Sequence, residues 1–572
     1  MRYQMNFGSL GKSITELKPT GTDRFRIALL GDFSGRANKG ELAIGDALAS
    51  RKPLKVDVDN IDDVIGRLNI EIDLPLGGDE GATRIEISSI DDFHPDELYD
   101  NLEIFEELAG LRQRLNNSGT FDGAASEVMS WLDDESIRKP KKIKAKSRGT
   151  AIPSEGKLSD FARLVGRPTA ENRDDPVVEE LLKHVVGPYI VPEDDPRQEA
   201  MVAAVDEALS GLMRSILHHP DFQSLESLWR SVDLMTRNLE TSSQLQIVLY
   251  DVTAEEIAAD LSATEDLLET GLYRMLVEQP SMNAQQGPFA VILGCYLFEQ
   301  TPPHAELLGR MAKIVSQSQT AFVSAIGTDC LKKQDPDDVH PLIIESWDTL
   351  RGMTEAAYLG LTVPRFMLRN PYGKKSDPIE PFEFEEFTPT NGIGGMLWGN
   401  SAVMVGLLLG QCFSQGGLKG MKLGSIMSVG DMPFHFYTDQ DGDKIALPCT
   451  DRMLSMKLVE HVTTQHFMPM LSVQGRPEVR LGSYVSLNGG DLSGPWAPAA
   501  TQKEAEATDS APDEEDAVVE DELVEEIVET DSDEDDLDAL LAGLSDDDSD
   551  DDDTADDDEE MDPELAALLA DL

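Results

Sequence analysis

The sequence predicts a mixed fold, α+β in a small first module and α/β in a larger second one, followed by a disordered acidic tail. Three observations carry this prediction. Residues 24–117 alternate short strand-like runs with capped helical stripes, and residues 175–489 alternate apolar strands with long helical patterns. Beyond 490 the apolar periodicity gives way to acidic low complexity, which offers too little apolar surface to offset the entropy of ordering.

The chain opens with an arm, residues 1–23. Tyr3, Met5 and Phe7 alternate with Arg2, Gln4 and Asn6, the pattern of a half-buried strand. A polar stretch to Asp23 follows. Two readings stay open: a first strand of its own domain, or an arm that joins another sheet edge through Tyr3, Met5 and Phe7.

In the 24–117 module, Phe25 to Leu30 reads as an apolar strand ended by Gly31-Asp32-Phe33-Ser34-Gly35, and Leu54 to Asp59 alternates. Asn60 is placed to cap a short helix from Ile61. Leu68–Leu76 and Thr83–Ser88 alternate again. Asp91 or Asp92 then caps a helix with Pro95 in its first turn, and Leu98, Leu102, Phe105, Leu108, Leu111 and Leu115 form one stripe. Residues 118–174 read as a linker. It holds seven basic residues between Arg138 and Arg148 and is broken by Pro140 and Pro153.

The 175–489 module begins with helical patterns over Val177–Val186 and Ala200–Leu217. Strands over Leu245–Val252, Phe289–Cys295 and Ala321–Ile326 alternate with helices near Ala254–Leu261 and Ala305–Gln317. That order predicts a sheet buried on both faces. The apolar stretch Met396–Phe413 carries Asn400, Ser401 and Gln411, so a buried helix is expected there rather than a membrane span. A short strand is expected within Val479–Leu487, the run that holds Tyr484 and Val485.

The tail, residues 490–572, holds two apolar islands with a shared D/E-L-x-A-L-L-A-x-L pattern. Leu537, Leu540, Leu541 and Leu544 fall on one helical face, as do Leu565, Leu568, Leu569 and Leu572. Isolated helices this short are marginal in water. The islands therefore read as docking peptides that fold on a partner.

The formal charge is −60, and residues 501–572 hold 34 acidic side chains against one basic, so the remainder carries about −27. That balance argues against general nucleic-acid binding. Cys295, Cys330, Cys412 and Cys449 lie far apart and read as reduced thiols of a cytoplasmic protein. Met1 to Met5 shows no secretory apolar region.

A search for chemistry yields no catalytic, cofactor-binding or metal-ligating constellation. Gly11-Lys12-Ser13 resembles the end of a phosphate-binding loop, but Asn6 stands where the first glycine is required. Asp439-Gln440-Asp441-Gly442-Asp443 lacks the later bidentate acid of a calcium loop and reads as a hairpin turn. His218 and His219 are adjacent, a poor chelate on a helix, and suit capping and packing before Pro220.

Longer segments carry a family resemblance. Ile27 to Gly35, Val56 to Val64 and Ile87 to Asp96 resemble the small sheath protein of the type VI secretion system, TssB or VipA. Ile216–Arg230, Trp347 with Leu350-Arg351, Tyr358–Arg369, Pro371-Tyr372-Gly373, Phe382–Glu386 and Leu397–Ala402 resemble the large one, TssC or VipB. The resemblance implies a fused, shortened subunit of a contractile sheath. Such a subunit polymerises into a helical tube through strands exchanged between neighbours, here supplied by the arm bearing Tyr3, Met5 and Phe7 or by the segment at Tyr484 and Val485, and contraction propels an inner tube. Implied partners are further copies of the chain, an inner-tube protein, baseplate components and a ClpV-like AAA+ unfoldase, with no nucleic acid, no membrane insertion and no enzymatic activity. The alternative is a non-polymerising adaptor that recruits partners through its acidic tail.

Overall fold

The computed structural model describes residues 5–11, 23–76, 82–117, 120–132, 198–283, 285–332, 339–388, 392–438 and 444–497. All belong to one compact unit. In chain order the strands are β1 (Phe25–Gly31), β2 (Leu54–Val56), β3 (Ile70–Leu74), β4 (Thr83–Ile87), β5 (Leu245–Asp251), β6 (Val291–Phe298), β7 (Ala321–Ile326), β8 (Leu359–Val363), β9 (Phe366–Met367), β10 (Trp398–Gly399), β11 (Ser428–Val429), β12 (Phe436–Thr438), β13 (Lys444–Ala446), β14 (Met468–Ser472) and β15 (Val479–Leu481).

Nine strands form the main sheet, in the order β11-β15-β14-β8-β7-β6-β1-β5-β2. All seven residues of β1 are buried, as expected for a strand covered on both faces. It pairs in parallel with β5, Phe25 opposite Leu245 through Gly31 opposite Asp251. On its other side it pairs in parallel with β6, Ile27 opposite Val291. A strand from the first segment thus lies inside the sheet of the second. The antiparallel strand β2, also from the first segment, closes that edge. β3 and β4 form a separate hairpin.

The longer helices are α1 (Ile61–Leu68), α2 (Pro95–Asn101), α3 (Glu103–Asn116), α4 (Phe121–Leu132), α5 (Gln198–Leu217), α6 (Pro220–Asn238), α7 (Ala254–Ala263), α8 (Pro302–Ser316), α9 (Pro341–Arg351), α10 (Ser401–Gly420) and α11 (Met456–Thr464). The expected stripe from Leu98 to Leu115 is buried throughout. It joins the face of α5 in one hydrophobic core that also contains β1, β3, β4 and α10. Gly406 brings α10 against β6, because a Cβ there would collide with Leu293. Among the described residues α10 is the one helix long and apolar enough to cross a membrane, and its residues from Ser401 to Gly410 are all buried in this core.

Several local expectations are corrected. Met5 to Gly8 are not a strand, and Ser9 makes a single bridge to Asp266. Regular pairing in β2 ends at Val56 because residues 58–60 turn. Asn60 precedes α1 without capping it, since its Oδ1 accepts the Asp57 amide at 3.0 Å. Asp91 and Asp92 do not cap α2: they lie in a 3-10 turn, and Asp92 accepts from Ser88 and Ser89 instead. The single predicted helix divides at Leu102, whose backbone is extended. Helix α4 occupies the start of the expected linker. Strands β12 and β13 pair antiparallel, Phe436 opposite Ala446, while Asp441-Gly442 of the expected hairpin turn lies outside the described residues. The Val177–Val186 helix, the basic run and the tail beyond residue 497 lie outside the described residues.

Candidate functional site at the junction of the two segments

The carboxyl ends of β1 and β5 meet at a cluster of acids, Asp32, Glu256 and Asp260 buried and Asp251 half-buried. Asp32, directly after β1, accepts the amides of Arg36 at 2.7 Å and Ala37 at 3.0 Å. Asp251 accepts the Ser34 amide at 3.1 Å and its hydroxyl at 2.7 Å. Glu256 sits in the capping box that Thr253 makes at the start of α7. It also accepts Arg51 Nη1 at 2.6 Å, the Ala43 amide at 2.8 Å and Arg36 Nη2 at 3.3 Å. Asp260 takes the amides of Gly45 at 2.6 Å, Leu272 at 2.9 Å and Gly271 at 3.1 Å. Carboxylates of the second segment therefore bind the loop of the first that follows β1. Burial, reinforced by the charge of Asp251, pushes Asp32 up to about 7. Burial also raises Asp251 and Asp260, against the donors that each accepts.

A second cluster lies beneath α2 and α6. Arg369 donates to both oxygens of Glu226, at 2.7 and 3.2 Å, and to both of Glu386, at 2.6 and 3.0 Å. Its guanidinium lies over the Tyr372 ring at 4.2 Å. Arg230 donates to Glu226 at 2.6 Å and to the Tyr372 hydroxyl at 2.9 Å. Burial works to raise Glu386, but Arg369 foremost and then His218 overcome it, holding the carboxyl at about 2. Burial pushes the Tyr372 phenol up to about 12. The first segment closes this cluster: the His94 ring stands edge-on to Tyr372 at 4.9 Å, and Asp96 accepts the Glu380 amide at 3.1 Å. Nearby, Arg112 of α3 meets Asp206 of α5 at 2.5 Å.

Both segments start a helix the same way. Nδ1 of His94 accepts the Asp96 amide at 3.2 Å, and Nδ1 of His219 accepts the Asp221 amide at 3.3 Å. Each histidine precedes a proline at the first helical position, where the missing N–H costs nothing. His340 repeats the arrangement at α9, bonding the Leu342 amide at 3.2 Å. The capping role expected at His218-His219 falls to His219.

These arrangements hold protein together. Each of these charges is bound by opposite charges, amides or a hydroxyl, and removing one partner of a buried pair is costly. All four cysteines are free and buried, and burial pushes Cys295 and Cys330 up to about 12.

The predicted contact residues do not share one place. Met5 packs on the core beneath β6 to β8, and Phe7 lies against Gly309 of α8. Tyr484 is buried, its hydroxyl donating to the Ile426 carbonyl at 3.3 Å, while Val485 bridges Asp491. Tyr3 and the leucines of both islands, Leu537 to Leu544 and Leu565 to Leu572, lie outside the described residues. Gly11 of the loop-like Gly11-Lys12-Ser13 gives its amide to Asp266 at 3.3 Å. Sequence reasoning missed Glu226, Arg369, Glu386 and Asp32 as junction residues. Asp32 and Arg369 were signalled by charge bordering apolar runs, and Glu226 by its i,i+4 spacing to Arg230, that of a helical ion pair, whereas Glu386 among Glu383 and Glu385 carried no signal.

Comparison with known families accounts for both halves of the junction. Residues 199–488, just over half of the chain, match the VipB family model, described as EvpB/VC_A0108, tail sheath N-terminal domain. Residues 24–133 match the VipA family model, described as Type VI secretion system, VipA, VC_A0107 or Hcp2. Over 290 residues the chain is 31% identical to the type VI secretion system sheath protein TssC1 of Pseudomonas aeruginosa, covering 48% of this chain and 58% of that relative. The chain thus spans less than two thirds of that relative's length. It belongs to the type VI secretion sheath family, with a VipA (TssB) segment fused ahead of a VipB (TssC) segment in one polypeptide.

Proposed function

We propose that the chain is the repeating structural unit of a type VI-like contractile sheath, polymerising into a helical tube whose contraction propels an inner tube. The observation that supports this reading best is β1 seated between β5 and β6. It makes the small and large sheath segments a single body at one-to-one stoichiometry. A body with a heterologous contact that does not close grows as a helix. Contraction then exchanges one packing between copies for another, and the buried ion clusters keep the interior of each unit intact as it moves. In this reading the chain works in the cytoplasm with further copies of itself, an inner-tube protein, baseplate components and a ClpV-like AAA+ unfoldase. Nucleic acid binding and membrane insertion have no part in it.

Contacts between copies are assigned to the arm bearing Tyr3, Met5 and Phe7, or else to the segment at Tyr484 and Val485, where Tyr484 is buried in its own chain and has to leave it to reach a neighbour. Negative-stain microscopy of the purified full chain tests the main reading. Long hollow tubes are expected, and discrete particles under all conditions would replace the sheath with an adaptor. Deleting residues 1–9 should block tube growth, and unchanged tubes would remove the arm from the interface. The leucine islands are assigned to partner docking. Replacing Leu540, Leu541, Leu568 and Leu569 by serine should abolish partner pull-down while leaving the folded unit unchanged.

A further inference from the structure

Residues 5–11 occupy a groove between α8 and the segment 264–267. The groove is open at Gly309, where a Cβ would collide with the Phe7 ring. Arg310 is buried, and its Nη1 is fixed by the carbonyls of Leu261 at 2.7 Å and Thr264 at 3.1 Å. That leaves its Nε directed at the Asn6 carbonyl, 2.9 Å away. Lys313 reaches the Gly8 carbonyl at 3.0 Å. Ser9 then exchanges main-chain bonds with the body, donating to Glu265 at 2.8 Å and accepting from Leu267 at 2.9 Å. Met5 and Leu10 pack on the core below.

Most of these contacts go to the main chain of the segment. A peptide added as a strand to another sheet spends the same N–H and C=O groups on its new partner. The carbonyls of Asn6, Gly8 and Ser9 and the amides of Ser9 and Gly11 are already bonded within the chain. Gly8 also turns the backbone at φ 67°, outside the strand region. The segment therefore cannot fill its own groove and serve as a regular strand on another copy at the same time.

We propose that this groove is a latch: it holds the amino-terminal segment within its own chain before assembly, and release of the segment is a step of tube growth. The proposal rests on the sheath reading. It makes the unassembled unit self-limiting, because a neighbour must compete with an intramolecular contact.

Gly309→Ala is the test. The added methyl evicts Phe7, while alanine in a helix interior favours the helix itself. Hydrogen exchange on the unassembled full chain should show the Ser9 and Leu267 amides exchanging about ten-fold faster than in the parent. Sedimentation should then show tubes forming at a lower protein concentration. Lys313→Ala, which removes only the bond to Gly8, should move both readouts in the same direction by less. Unchanged exchange would overturn the latch, as would faster exchange with an equal or higher assembly threshold. If neither parent nor variant forms tubes, the sheath reading fails and the latch fails with it, whereas parent tubes with an unmoved threshold defeat the latch alone.

Discussion

Arg369 holds Glu386 through two hydrogen bonds, Nη1 to Oε2 at 2.6 Å and Nη2 to Oε1 at 3.0 Å, at a carboxylate with no exposed surface. The same guanidinium also binds both oxygens of Glu226. Removing it leaves two buried carboxylates short of their counter-charge. Arg369→Ala should cost about 3–5 kcal/mol in denaturant unfolding. Arg369→Lys should recover little of it, because an ammonium cannot serve two carboxylates with a planar fork. A loss under about 1 kcal/mol would show that the cluster relaxes or takes up water.

Two buried carboxyls should leave opposite traces in the pH dependence of stability. Glu386 is held at about 2, below its ordinary 4.5, so its contribution is complete above pH 4.5 and is lost as pH falls toward 2. Asp32 is pushed from 3.8 up to about 7, so its folded site favours the proton. Its contribution is complete below 3.8 and is lost as pH rises toward 7. Asp32→Asn should therefore flatten the decline in stability between pH 3.8 and 7, measured by denaturation at fixed temperature. An unaltered slope would show that Asp32 is ionised throughout.

The histidine caps can be tested separately. His219→Ala removes the acceptor for the Asp221 amide and should destabilise by about 1 kcal/mol, with His219→Asn largely restoring the loss. If asparagine behaves like alanine, the ring acts by packing rather than as a cap.

The position of β1 predicts how the fused halves behave when separated. A protease site inserted between Leu132 and Gln198 and then cut should leave two pieces that co-elute on size exclusion without denaturant. Each piece alone lacks neighbours for its share of the sheet. Leu29→Ala, at a fully buried position in β1, should cost about 2–5 kcal/mol and lower the unfolding midpoint of both pieces together. Two separate transitions would refute the shared core.

Much of the local structure was legible in the residues. The run from Phe25 to Gly31 is apolar throughout, the stripe from Leu98 to Leu115 keeps helical spacing, and Pro95 and Pro220 mark first turns. These features follow from short-range periodicity and from the fixed φ of proline, which act within a few residues. The caps were harder to read. Asp92 resembles a cap as well as His94 does, and only the fold of residues 88–94 turns Asp92 back onto Ser88.

The junction residues stood in the sequence as ordinary charged side chains, some bordering apolar runs, but most of their partners are far away along the chain. Arg369 shows in the sequence only as a charge at the end of the apolar run Phe366–Leu368, and its partner is known once α6 brings Glu226 to it. The sequence by itself determined the main strands and helices of both segments, the charge division and the family of each segment, but not the arm, the break at Leu102 or the helix Phe121–Leu132. Only the tertiary structure decided that β1 lies between β5 and β6 and that residues 5–11 fold back onto α8. The reason is that ladder and groove bonds are made by main-chain groups, which are the same in nearly every residue. The choice of partner then depends on how distant surfaces pack, which no local pattern records.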